Sequence, residues 1–374
     1  MKGTLSGYLG SKTMTLLLPI ERSLRLGLIV LAIAPSTIFG VAVAQTQSTP
    51  WEPGAFVYTA DEQGNSISAI DLAAGHVTTI PIAISPHNVQ ITADGNRILA
   101  VGEPAADGHQ HGHNDDAHGA AEAKGLLLVL DTAALGTAPI AEISVGTHPA
   151  HVVVDQTGTR AFVTNAGDNS VSVVDLATRK TIASIGTGRY PHGLRMSPNG
   201  REVYVANVED GSLSVIDAED LTELTRIPVG KSPVQVGFTP DGSRAYVSLR
   251  DENRVAVVDT TTRTLIGTIE VGQSPIQVYA TPDGRSVYVA NQGSATAPAD
   301  TVSVIDVASG TVVETIRTGR GAHGVVASDD GGWVFVTNIV DGTVSAIEVA
   351  TGNVVASFRV GHGPNGITYR SPKE

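Results

Sequence analysis

The sequence contains no cysteine. That excludes disulfides, thiolate metal sites, a lipoprotein anchor and the thioether attachment of a c-type haem. Aromatics are scarce, at 4%, with only two Trp, so any core must be built from aliphatic side chains. Cations are outnumbered: 24 Lys and Arg face 37 Asp and Glu, a formal net charge of −13. An acidic chain lacks the basic footprint that nucleic acid requires; it suits cations or basic partners. No long helical period occurs after residue 50. There is also no G-x-S-x-G elbow, no H-E-x-x-H helix and no phosphate loop, so nothing points to a nucleotide or to a ready-made catalytic motif.

What the chain has instead is repetition. A strand-like run ending in a carboxylate recurs about every 42 residues: S-V-S-V-V-D at Asp175, S-L-S-V-I-D at Asp217, R-V-A-V-V-D at Asp259, T-V-S-V-I-D at Asp306 and T-V-S-A-I-E at Glu348. Earlier copies end at Asp71 and Asp131, which makes seven. A fixed period of this length means stacked supersecondary units. Within a unit the apolar residues alternate, and Pro-Asn-Gly or Pro-Asp-Gly turns separate the runs. This predicts four antiparallel strands, A to D, per unit. Such units repeated radially are propeller blades.

The two ends are complementary pieces of one repeat. After Pro364 the chain has room for strand A alone, while Phe56 to Asp71 holds strands B and C. The expected fold is an all-β, seven-bladed propeller over 55–374, closed by a C-terminal strand A joining N-terminal strands B to D. Closure removes the exposed sheet edges that promote aggregation.

The V-T-N runs at Val163–Asn165 and Val336–Asn338, the Y-V-A-N runs at Tyr204–Asn207 and Tyr288–Asn291, and the P-D-G turns resemble the YVTN family of β-propeller repeat proteins. The resemblance implies a seven-bladed propeller of a kind frequently exported in bacteria, and no single activity. Residues 1–44 read independently as a secretory signal: Lys2, Lys12, Arg22 and Arg25 precede an apolar run that ends A-V-A before Gln45. Residues 45–54 read as a linker. The expected compartment is the periplasm.

The histidines are concentrated. Four lie in G-H-Q-H-G-H-N-D-D-A-H-G: His109, His111, His113 and His118, beside Asp115 and Asp116. The spacing places this tract in an insert, 104–124, between strands B and C of the second blade. Six more stand at strand-A entrances: His87, His148, His151, His192, His323 and His362. Antiparallel alternation puts the B–C loops and these entrances on one face of the disc. Going round the circle, the fifth and sixth blades offer Gln235 and Gln277 instead. Strand A lines a propeller's channel, so the imidazoles should rim part of its mouth.

Neutral imidazole is the commonest transition-metal ligand. His87, His151 and His192, from neighbouring blades, form the best candidate trio, with His323 and His362 as a second group. The expected ligand is a Zn or Cu ion, captured by the loop and seated at the rim; haem is not expected. The plan is similar to exported propeller proteins that handle zinc. The leading expectation is therefore a monomeric, non-enzymatic binding protein for a transition metal, with a periplasmic or membrane protein as a further partner. The alternatives are a YVTN-type interaction scaffold, with the histidines incidental, and a propeller enzyme of the lactonase or lyase kind. The seven strand-end carboxylates and Asn165, Asn207, Asn291 and Asn338 read as structural, because repetition fits a shared turn better than a single reacting centre.

Overall fold

The computed structural model describes residues 50–105 and 123–372. The proposed signal, the His109–His118 tract and Asp115 and Asp116 lie outside the described residues. Seven separate sheets, each of four antiparallel strands, form the seven blades. In blade 1, strand A (Pro364–Arg370) pairs with strand B (Phe56–Asp61), which continues into strand C (Ser66–Asp71) and strand D (His76–Pro81). The ring is thus closed by the two ends of the chain, in the way the complementary half-repeats dictate.

The core lies between blades rather than within them. Leu99, Val101, Leu127 and Val129 of blade 2 pack on Val152, Ala161, Val163 and Val174 of blade 3. At the closure, Val57, Ile70 and Leu72 pack on Val326, Phe335 and Val344 of blade 7. Ahead of the first strand, Trp51 covers the same seam, with its ring centroid 5.1 Å from that of Trp333 and 5.9 Å from that of Phe358. Strand D is the outer strand of each blade, and it reads as largely exposed, as in Thr264–Glu270.

The repeated polar residues close turns and blades. Asp175 accepts the backbone N–H of Thr178 at 2.6 Å, and Asp259 that of Thr262 at 2.7 Å. Buried Asn207, ending strand B, donates to Ser212 Oγ and Ser214 Oγ of strand C at 3.2 and 2.9 Å. Asn165, Asn291 and Asn338 do the same in their blades. In blade 1 Asp61 holds this position and accepts from Thr59, Ser66 and Ser68.

One feature of strand A sets up the channel. Pro191 pairs with Asn207, but Leu194 pairs with Val205, so strand A carries one extra residue against strand B. The other six blades show the same register shift at this point. Such a bulge re-aims the side chains beside it.

Candidate functional site

The bulge residues of the seven blades meet at the mouth of the channel. An either-or rule governs them. Where the first residue after the strand-A start is polar, glycine follows in three blades: His192-Gly193, His323-Gly324 and Asn365-Gly366. Where it is apolar, the polar residue comes second: Ala150-His151, Val234-Gln235 and Ile276-Gln277. The glycines are steric. A Cβ on Gly193 would stand 2.4 Å from Gln235 Oε1 of the next blade, and one on Gly324 would stand 2.6 Å from the Asn365 carbonyl oxygen.

His87, His151 and His192 are brought together: one nitrogen of each lies within 4.8 Å of the others. Their ring centroids are 4.9–5.5 Å apart, and His151 is only 2% exposed. His87 Nε2 and His192 Nε2 are 3.1 Å apart. The opposite nitrogens are held by other blades. His87 Nδ1 meets Glu62 Oε1 at 2.9 Å, and His192 Nδ1 meets the Val234 carbonyl at 3.2 Å. His151 Nδ1 meets Gln235 Nε2 at 3.3 Å.

These partners settle where the protons are. The Val234 carbonyl can only accept, so His192 Nδ1 carries the hydrogen and His192 Nε2 offers a lone pair. His87 Nε2, at 3.1 Å, must then donate, while its Nδ1 donates to the Glu62 carboxylate. His87 is therefore an imidazolium between a carboxylate and a neutral imidazole. The electrostatics agree. Burial disfavours the charge on His87, but Glu62 outweighs it and holds its pKa above the ordinary imidazole value. Burial pushes Glu62 up, yet His87, with help from Asn365, brings it down to about 2. Burial and the His87 charge depress His192 to about 3 and His323 to about 4. His151 is also lowered, by burial first and then by its imidazole neighbours.

Glu62 is not singled out by the sequence, and Asn365 stands at a strand-A entrance without an expected role. Glu62 lies in a short 3-10 turn after strand B of blade 1, and Asn365 Nδ2 donates to its Oε2 at 2.7 Å. A signal was available: Glu62 stands where other blades place Ala166, Val208 and Ile339. The far wall of the mouth is under-satisfied. Both ring nitrogens of His323, Gln277 Nε2 and Asn365 Oδ1 are buried without a well-formed hydrogen bond; Asn365 is the hydrogen-bonding neighbour that shifts His323.

Two expected site residues, His148 and His362, fall elsewhere. His148 takes a left-handed turn conformation, φ 45°, just before Pro149, and its Nδ1 is 2.5 Å from Glu103 Oε1. It faces the stem of the His-rich insert rather than the trio. His362 is exposed, whereas His323 is 7% exposed, so the expected His323–His362 group is replaced by a buried His323 that feels the His87 and Glu62 charges. The His148–Glu103 contact puts the stem of the insert on the entrance face, as strand counting requires.

Fold and site thus define a seven-bladed propeller with a buried imidazole cluster, capable of metal coordination, at one end of its channel. The model of the cytochrome D1 heme domain family matches residues 56–280, and the chain belongs to this family. A model described as YNCE-like beta-propeller matches residues 216–373. No functionally curated protein matches the chain. Among solved structures, a chain of the hydrazine synthase of Kuenenia stuttgartiensis is 18% identical, with a TM-score of 0.62 over 76% of this chain and 95% of that one. A protein of unknown function from Desulfotomaculum acetoxidans is 17% identical, with a TM-score of 0.70 over 85% and 99%. A candidate 6-phosphogluconolactonase from Bacteroides uniformis is 16% identical, with a TM-score of 0.67 over 84% and 99%. At these identities the likeness is one of fold.

The family match corrects two expectations. A non-enzymatic carrier of Zn or Cu is overturned, since the matching family is a heme domain. The exclusion of haem is overturned as well. Lack of cysteine rules out only thioether attachment, and iron can be held by histidine alone. Bonds of about 2.0–2.1 Å in a tetrahedral site imply nitrogens about 3.3 Å apart, close to the 3.1 Å between His87 and His192. Three imidazoles packed at 4.9–5.5 Å leave no flat slot for a macrocycle among them. The trio as arranged fits a bare ion and does not fit a haem.

Proposed function

We propose that this chain is an exported propeller enzyme whose reaction centre is the channel mouth, hydrolysing an ester or lactone with the help of an ion held by His87, His151 and His192. The observation that carries the reading is the His87 ring, suspended between the Glu62 carboxylate and His192 Nε2, with a third imidazole beside them. A metal-held imidazole backed by a carboxylate is a common supporting arrangement in metal sites. When bound, the ion supplies Lewis-acid polarisation of the carbonyl. The chain's own residues do the rest. Glu62 fixes the orientation of His87 and the Val234 carbonyl that of His192. His323, neutral and beside Asn365, takes the proton of the attacking water as the new C–O bond forms. It returns that proton to the alkoxide oxygen as the old C–O bond breaks. The lactonase-type structural neighbour makes this substrate class the first to try. The YVTN-like repeats and the A-V-A segment before Gln45 support export.

The test is turnover of simple lactones and aryl esters by the full chain, with metal content measured alongside. His323→Gln should lower kcat about 100-fold and leave ion content unchanged; His192→Ala should lose both. Turnover that persists after chelation and in His192→Ala would sink the reading.

A further inference from the structure

The other end of the channel has a lining of different chemistry. A cavity of about 600 Å³ opens on the face of the A–B turns, with Arg195, Tyr279, Ile367, Tyr369 and Arg370 in its lining. Arg195 comes from strand A of blade 4 (Pro191–Met196), three residues beyond His192. At about 3.3 Å per residue, that places it roughly 10 Å further along the channel. In the equivalent position the neighbouring blade has Gly237 and the next has Tyr279. The Arg195 guanidinium lies over the Tyr279 ring, 5.2 Å from its centroid.

Arg195 is half-buried, and no ion pair or hydrogen bond of its guanidinium occurs among the described residues. An unpaired guanidinium in a channel wall is costly unless something completes it. The cation–π contact offsets part of that cost but uses none of the N–H donors. Arg370, on the same cavity, leaves its buried Nε without an acceptor. The nearby carboxylates do not fill the vacancy: Asp94 and Asp155 are engaged by their own turns, and Asp329 by the chain's C-terminal segment. Asp94 accepts from Thr92 Oγ1 at 2.6 Å and from the Asn96 N–H at 3.0 Å. Asp155 accepts the Thr159 N–H at 2.8 Å, and Asp329 accepts from Ser371.

We propose that this cavity binds a small organic monocarboxylate, with the carboxylate on the Arg195 fork and an apolar or aromatic body against Tyr279 and Ile367. A planar guanidinium matches a planar carboxylate through two parallel N–H donors. Asp94, Asp155 and Asp329 around the opening repel multiply charged anions, so a single charge is favoured over phosphate. The site does not depend on the imidazole cluster.

Calorimetric titration of the full chain with benzoate, benzamide and inorganic phosphate tests this. Benzoate should bind at one site, and Arg195→Gln should weaken it about 10-fold or more, with Arg195→Lys intermediate. Benzamide, an uncharged isostere, should bind at least 10-fold more weakly, as should phosphate. His192→Ala should bind benzoate like the unmodified chain, which separates failure here from failure of the hydrolytic centre. Absence of benzoate binding, benzoate affinity unchanged in a folded Arg195→Gln protein, or benzamide or phosphate binding as tightly as benzoate would each overturn the proposal.

Discussion

Two positions of the repeat behave in opposite ways. At the end of strand B, four blades carry Asn165, Asn207, Asn291 and Asn338, each donating to hydroxyls of its own strand C. At the strand-A bulge, the blades carry His87, His151, His192, Gln235, Gln277, His323 and Asn365. The first set is uniform: each amide NH2 is satisfied within its blade, while the Oδ1 of Asn165 and Asn338 accepts from the preceding connection and that of Asn207 and Asn291 has no partner among the described residues. The second is varied, its members reach across blades, and several of its buried atoms lack partners. Repetition marks what every blade needs in order to fold. Departure from the repeat, at a position every blade delivers to one place, marks chemistry.

The sharpest way to break this contrast is to remove one member of each set. His87→Ala, His151→Ala or His192→Ala should each lower transition-ion affinity by two orders of magnitude or more, as about 2.7 kcal/mol or more of lost ligation would. Each variant should keep its thermal midpoint within a few degrees. Ion titration with calorimetric melting reads both. Equal affinity in all three variants would mean that the trio is not the ion site. Glu62→Gln comes next, at about 10- to 100-fold in ion affinity, and it should also change the pH dependence. In the unmodified chain an ion must displace the proton on His87 Nε2. Affinity should therefore rise about tenfold per pH unit up to the raised pKa of His87 and then level off. Without Glu62 the levelling should begin at lower pH.

Asn207→Ala tests the architectural set. It should cost about 1–3 kcal/mol of stability, because it orphans a buried hydroxyl pair, and leave ion affinity unchanged. The acid limb of stability gives a smaller, cumulative signal. His192 and His323 have folded pKa values of about 3 and about 4, below the ordinary imidazole value. They are neutral when folded and protonated when unfolded, so their contribution is complete above about pH 6.5 and is lost as pH falls. A His192→Gln, His323→Gln double variant should show a flatter decline between pH 6 and pH 4, measured by denaturant melts. The smallest effect is expected at Asp61, the one carboxylate in the Asn position. Burial raises its pKa despite four hydrogen bonds. Its charged form is disfavoured in the fold, so stability falls as pH rises through the carboxylate range. Asp61→Asn, matching the other blades, should stabilise the protein near neutrality and have no effect at low pH, read by denaturant melts.

The blade count, the strand content of each blade, the closure by both termini and the face carrying the strand-A entrances were all legible in the chain. Each follows from a local pattern repeated at fixed spacing, and seven copies average out the ambiguity of any one. His87, His151 and His192 could be named together because neighbouring blades present equivalent positions side by side. The turn before Pro149 was not legible, and it turns His148 away to Glu103. Nor was the bulge, which exists only as a mismatch between the registers of two strands.

By itself the sequence determined a circle of seven four-stranded sheets, since alternating apolar runs at a fixed period can bury themselves in few other ways. Only the tertiary structure decided which charges share a low-dielectric site. Glu62, Asn365, His87 and His192 are scattered over some 300 residues and become partners because the ring closes. Coulomb and hydrogen-bond energies depend on distances of a few ångströms, which no spacing along the chain encodes.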